Sequence, residues 1–145
     1  MLKKLLRALG FSKKVPRTDK PAGEVSGKVI VITQEDQVIN IVRENSPAVV
    51  SIVATGTRAV PLGTGFFVSK DGLLLTNWHS VEDDKTDYYV VLNDGRSFPA
   101  SVMAKDSVQD LAILKADGSG FSHVLFGDSD QLKAGQTVVT IGNAL

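Results

Sequence analysis

From residue 28 onward the apolar residues recur mostly with the two-residue period of strands, in short runs separated by turn-forming residues. Residues 28–33 form a β-branched run. Thr33 is placed to cap a helix over 35–45, on which Val38, Ile41 and Val42 share one face and beyond whose end Pro47 falls. Strand patterns follow at 48–57, 65–69, 73–77, 88–92, 96–104, 110–115 and 136–142. Lys70-Asp71-Gly72 and Asn93-Asp94-Gly95 stand between such runs as hairpin turns, because Asp-Gly tolerates the positive φ that tight turns need. No internal repeat appears, and no alternation of strands with helices that would build a parallel sheet. The spacing predicts a mostly β fold: a single antiparallel barrel of about six strands, preceded by a short helix.

The stretch before this pattern differs in kind. Among 145 residues the charges balance at 16 Lys+Arg against 16 Asp+Glu, but residues 1–20 alone carry a net +6 and the remainder −6. Residues 1–27 are therefore read as a basic N-terminal arm and linker, and residues 28–145 as the barrel. Leu2, Leu5, Leu6 and Leu9 recur at helical spacing, so the arm is either an amphipathic helix contacting an anionic membrane surface or a solvated, flexible terminus. As an export signal it is weak: Arg7 interrupts the apolar run and Lys13-Lys14 follow closely. Pro16, Pro21, Gly23 and Gly27 mark the linker.

Composition removes several chemistries. With no cysteine there is no disulfide framework, thiol nucleophile or Cys-based zinc site. Two histidines argue against a rich metal centre, and no cofactor is expected. Neither a phosphate-binding glycine loop nor a basic-aromatic surface for nucleic acid is present.

One pairing suggests catalysis. His79 stands just past the apolar run at 73–77, and Asp110 opens the run at 110–115. Imidazole is the natural general base near neutral pH, and it works best when a carboxylate accepts its second N–H. From spacing alone the signal is weak, because an isolated histidine at a strand end is more often a surface or hydrogen-bonded structural residue. His123, in a polar loop, reads as solvated, as do the acids Glu82, Asp83, Asp84 and Asp87 beside His79; Phe98 and Met103 read as core or barrel-wall residues.

Taken together, Ser46-Pro47-Ala48-Val49-Val50-Ser51-Ile52, Gly63-Thr64-Gly65-Phe66-Phe67-Val68, Leu74-Leu75-Thr76-Asn77-Trp78-His79-Ser80-Val81, Leu92-Asn93-Asp94-Gly95-Arg96, Asp110-Leu111-Ala112-Ile113-Leu114, Phe126-Gly127-Asp128-Ser129-Asp130 and Val139-Thr140-Ile141-Gly142-Asn143 resemble the HtrA/Deg family of trypsin-like serine proteases, in family order over roughly 36–145. The resemblance implies the first of two six-stranded barrels of a chymotrypsin-like protease. His79 then matches the general base, Asp110 the carboxylate that orients it, and Thr76 and Asn77 residues that support the histidine's loop. Trp78 and Ser80 depart from the commonest neighbours at their positions. Family members cut misfolded or unfolded proteins, assemble as homo-trimers, and work in the periplasm or cell envelope; the weak export signal leaves the cytoplasm open.

The serine of the family lies in a Gly-Asn-Ser-Gly-Gly motif on the second barrel, and no match to it occurs in these residues. Gly127-Asp128-Ser129 imitates a nucleophile turn, but Asp130 follows where an oxyanion hole needs open backbone donors, so Ser129 is expected in a structural turn. The chain is accordingly expected to be the truncated N-terminal part of a serine endopeptidase, inactive alone, with apolar surface left open toward the absent barrel. The alternative is a non-catalytic barrel that docks on intact protease subunits or on a membrane.

Overall fold

The computed structural model describes residues 33–55 and 60–143. The basic arm, its membrane contact, the linker and the run at 28–32 lie outside the described residues. The first element, α1 (Gln34–Asn45), begins where expected: Thr33 Oγ1 accepts from Asp36 N at 3.1 Å while Asp36 Oδ2 accepts from Thr33 N at 3.0 Å, a reciprocal capping box. None of its residues is buried, so the face bearing Ile41 and Val42 lies open. A 3-10 turn (Ser46–Ala48) containing Pro47 ends it.

Six strands follow: β1 (Val49–Ala54), β2 (Val60–Phe67), β3 (Leu73–Thr76), β4 (Tyr88–Leu92), β5 (Ser97–Asp106) and β6 (Leu111–Ala116). They pair antiparallel throughout and close as β1-β2-β3-β6-β5-β4, the barrel that the spacing predicts. The β2–β3 and β4–β5 turns place Gly72 at φ 96° and Gly95 at φ 85°, as Asp-Gly turns require. Interior residues include Val50, Ile52, Phe67, Leu74, Val90 and Leu114, all with no exposed surface. The fully apolar runs of β3 and β6 are explained by a second cluster on their outer side, where Leu75, Ile113 and Val68 pack with Val124. Both faces of these two strands are therefore covered.

After β6 the chain turns back across the barrel. Phe121 stacks on Phe67 with ring centroids 4.3 Å apart and meets Phe98 edge-on at 5.0 Å, closing one end of the core. Val124 N donates to Phe67 O at 2.9 Å, and Asn143 Nδ2 donates to the buried Ser51 Oγ at 3.0 Å. Along this path Leu125, Leu132 and Val138 are exposed.

Three sequence expectations are corrected. Residues 136–142 form no strand: the six strands of the closed barrel pair with one another, and this run joins none of their ladders. The second strand starts at Val60 rather than 65, with Pro61 opposite Val53 on β1. Phe98 packs against the core, but Met103 does not: it continues the exposed positions of Ser97, Pro99 and Ser101, and the β5–β6 register skips it between Val102 and Ala104.

Candidate active site

His79 owes its position to its neighbours. Thr76, the last residue of β3, is buried and its Oγ1 donates to Thr64 O on β2 at 2.8 Å. The chain then folds into a 3-10 turn, Trp78–Val81, in which Ser80 and Val81 are buried and His79 faces solvent. Ser80 fits because β2 has glycine opposite it. A Cβ built on Gly63 would lie 2.3 Å from Ser80 Oγ and 3.1 Å from Ser80 Cβ. Gly63→Ala should therefore push the turn that carries His79, lowering stability by about 1–3 kcal/mol as overpacking does and displacing the His79 amide resonance. Adding Ser80→Ala removes the Oγ contact and should recover part of both; urea denaturation and amide NMR read the two effects.

Asp110 ends the turn between β5 and β6, one residue before the strand that it was expected to open. Asp106 Oδ1 shapes that turn by accepting from Val108 N and Gln109 N at 3.1 and 3.0 Å. Asp110 itself takes φ 51°, the one positive φ outside glycine among the described residues. Aspartate tolerates this left-handed backbone better than most side chains, at a cost of order 1 kcal/mol. Because Thr76 pairs with Ala112, the exit of β3 and the entrance of β6 lie side by side, and the two polar residues meet there.

The meeting is close. His79 Nδ1 lies 2.8 Å from Asp110 Oδ2 and 3.0 Å from Oδ1, and the His79 backbone N–H donates to Oδ1 at 3.0 Å. Asn77 Nδ2 donates to Oδ2 at 3.1 Å and to the Asp110 carbonyl at 3.3 Å. An ionised carboxylate only accepts, so Nδ1 is the donor, and in the neutral ring the lone pair then falls on Nε2, which makes no hydrogen bond among the described residues. The pair is open to water, with 62% of the His79 side chain and 42% of the Asp110 side chain exposed. The His79 backbone donor holds the Asp110 carboxyl below the ordinary carboxylate range; desolvation opposes it, and the smaller contributions of the His79 ring and of Asn77 add to the lowering.

The other singled-out residues stand apart from this pair. Ser129 opens a 3-10 turn (Ser129–Gln131) that Asp128 caps by accepting from Asp130 N at 3.2 Å, a turn role as the sequence suggests. His123 is exposed and its Nδ1 lies 3.4 Å from Phe121 O. The acids after the histidine lie exposed in a hydrogen-bonded loop: Asp83 accepts from Lys85 N and Thr86 Oγ1, and Asp84 pairs with Lys105 at 2.7 Å. Sequence reasoning gave Asn77 only a general supporting place. Its bond to Asp110 had no local signal, since asparagine ahead of a short helical turn reads as a cap.

A family model of the trypsin-like peptidase domain matches residues 63–145, more than half of the chain. The chain belongs to the trypsin-like peptidases. Within that family it is 44% identical over 81 residues to a "Probable periplasmic serine endoprotease DegP-like" of Chlamydia pneumoniae, covering 56% of this chain and 16% of that protein. A protein of the same description from Bartonella henselae is 45% identical over 87 residues, 59% of this chain and 17% of the relative. Among solved structures, the HtrA-type protease AlgW with a decapeptide superposes with a TM-score of 0.61 at 25% identity, over 68% of this chain and 38% of the other. AlgW with a tripeptide gives 0.60 at 31% identity, over 68% and 32%. The HtrA/Deg resemblance drawn from the motifs is thus confirmed, and the chain spans about a sixth of the length of these two DegP-like peptidases.

Proposed function

We propose that this chain is the base-bearing barrel of an HtrA-type serine endopeptidase that hydrolyses peptide bonds in misfolded proteins, with His79 as general base and Asp110 as the carboxylate that orients it. One observation carries the reading: an imidazole and a carboxylate from the facing ends of β3 and β6 lie 2.8 Å apart, with Nε2 left unbonded toward solvent. In such a mechanism Nε2 takes the proton of a serine hydroxyl as it attacks the scissile carbonyl. It later returns that proton to the leaving amine, while Asp110 steadies the imidazolium formed in between.

The nucleophile belongs to the second barrel in this reading, so the polypeptide of 145 residues hydrolyses nothing by itself. Ser129, held in a capped turn, does not replace it. The periplasm is the proposed site of action, from the names of the relatives, and unfolded segments of other proteins are the proposed substrates.

A peptidase assay on unfolded casein tests this. The chain as given should show no turnover, whereas the chain continued past Leu145 with the second barrel of an HtrA-type protease should cleave. Cleavage by the chain as given, or a folded continuation that cleaves equally well after His79→Ala, would overturn the assignment.

A further inference from the structure

We propose that Asn77 is a positioning residue of the pair: its side-chain amide fixes the Asp110 carboxylate, and the left-handed backbone that presents it, in the orientation that receives the His79 Nδ1 proton. The inference rests on the reading of His79 and Asp110 as base and orienting acid.

Asn77 stands at the N-cap of the 3-10 turn that carries His79, with extended backbone angles, yet its side chain makes no capping bond. Asparagine is among the best capping residues, and the chain uses such caps elsewhere: Thr33 on α1 and Asp128 on the turn at Ser129–Gln131 both bond to backbone N–H groups of their own helices. At position 77 the local preference gives way to a contact 33 residues distant. Departures of this kind, where a side chain abandons its own element for another, collect at functional sites.

The amide suits the task for a chemical reason. One Nδ2 carries two hydrogens, and here it has two acceptors, the Asp110 carboxylate Oδ2 at 3.1 Å and the Asp110 carbonyl at 3.3 Å. It therefore ties the carboxylate to its own main chain. A serine hydroxyl has one hydrogen to offer and an aspartate none, so neither serves both acceptors. The two bonds act at the residue whose φ of 51° most needs holding. They also leave the carboxylate edge next to Nδ1 with its contacts at 2.8 and 3.0 Å, while the His79 backbone N–H secures the other oxygen. Without Asn77, Oδ2 faces water on that side and the carboxylate can rotate away from the ring. The depressed Asp110 carboxyl is in keeping with this, since the Asn77 bond adds to the stronger donation from His79.

NMR on the 145-residue chain tests the proposal, with 13C detection of the Asp110 carboxyl and 15N detection of the His79 ring. In the unsubstituted protein the Asn77 side-chain amide resonances should move with pH in step with the Asp110 carboxyl. Asn77→Ala, and the near-isosteric Asn77→Asp that cannot donate, should raise the Asp110 titration midpoint and lose protonated Nδ1 signal to faster exchange with water. Amide resonances that ignore the Asp110 titration would overturn the proposal without any variant having to fold. So would a folded Asn77→Ala protein whose Asp110 midpoint and Nδ1 signal are unchanged. If Asp110→Asn leaves the His79 ring shifts untouched, the pairing itself fails and Asn77 with it, an outcome separate from a failure of Asn77 alone.

Discussion

Phe67→Ala should lower the stability of the barrel by about 3–5 kcal/mol, a large share of the ~5–15 kcal/mol that holds a domain folded. Phe67 has no exposed surface and lies among Val50, Ile52, Leu74 and Leu114 in the interior cluster. Truncation removes the buried ring and leaves a hole that a closed barrel, hydrogen-bonded around its whole circumference, is poorly able to collapse. The loss reaches further than the strand. Phe67 stacks on Phe121 at 4.3 Å, and Phe121 anchors the start of the segment that crosses back over the barrel. Urea denaturation should show the midpoint falling, and hydrogen exchange should show faster opening at Phe121 and Val124. Met103→Ala is the control: the residue is 56% exposed at the bulge, and its substitution should stay within about 0.5 kcal/mol of the parent protein. Equal losses at both positions would mean that Phe67 is not in the core described here.

What could be read from the sequence follows from where each element gets its stability. The turns at Gly72 and Gly95 were legible because their chemistry is local: Asp-Gly reports the positive φ directly. The helix start was legible because the Thr33–Asp36 box lies within one turn of chain. Less legible was the beginning of β2, where Pro61 and Gly63 are poor strand formers. The start of β2 from 60 to 63 pairs only with β1, so Pro61 loses no essential donor there, and tertiary pairing overrides propensity. Residues 136–142 failed in the opposite sense. Their β-branched alternation is real, but a strand needs a ladder partner, and the six strands pair with one another and not with this run. The candidate site divides along the same line. His79 and Asp110 were nameable as residue types at the ends of apolar runs. The left-handed φ of Asp110 and the diversion of Asn77 depend on β3 and β6 lying side by side, which no local pattern encodes.

In the chain continued through a second HtrA-type barrel, His79→Ala should lower kcat by about 10⁶-fold, and Asp110→Asn by about 10⁴-fold. The two figures differ for a structural reason. Alanine at 79 removes the group proposed to take the serine proton, and nothing else among the described contacts of this turn offers an unbonded basic nitrogen. Asparagine at 110 keeps nearly the shape of aspartate but not its charge. Facing His79 Nδ1 with an amide N–H, it favours the proton on Nε2, the nitrogen that must accept one. The double variant should be scarcely slower than His79→Ala alone, because in the proposed mechanism the carboxylate acts only through the imidazole. The pH dependence has a definite sign. The folded protein holds Asp110 below its ordinary range, so the ionised form is the one stabilised by the fold. That contribution is complete above the unfolded value near ~3.9 and is lost as pH falls through the lowered folded value. Asp110→Asn should remove only Asp110's share of the acid-side dependence, since Asp36, Asp71, Asp83 and Asp94 are lowered as well, and should leave stability near neutral pH only modestly lower, given that the Asp110 side chain is 42% exposed. Steady-state kinetics on a peptide substrate, with urea midpoints taken across the acid range, read both effects. Additive losses in the double variant would show His79 and Asp110 acting independently, and the coupling drawn from their 2.8 Å contact would then be wrong.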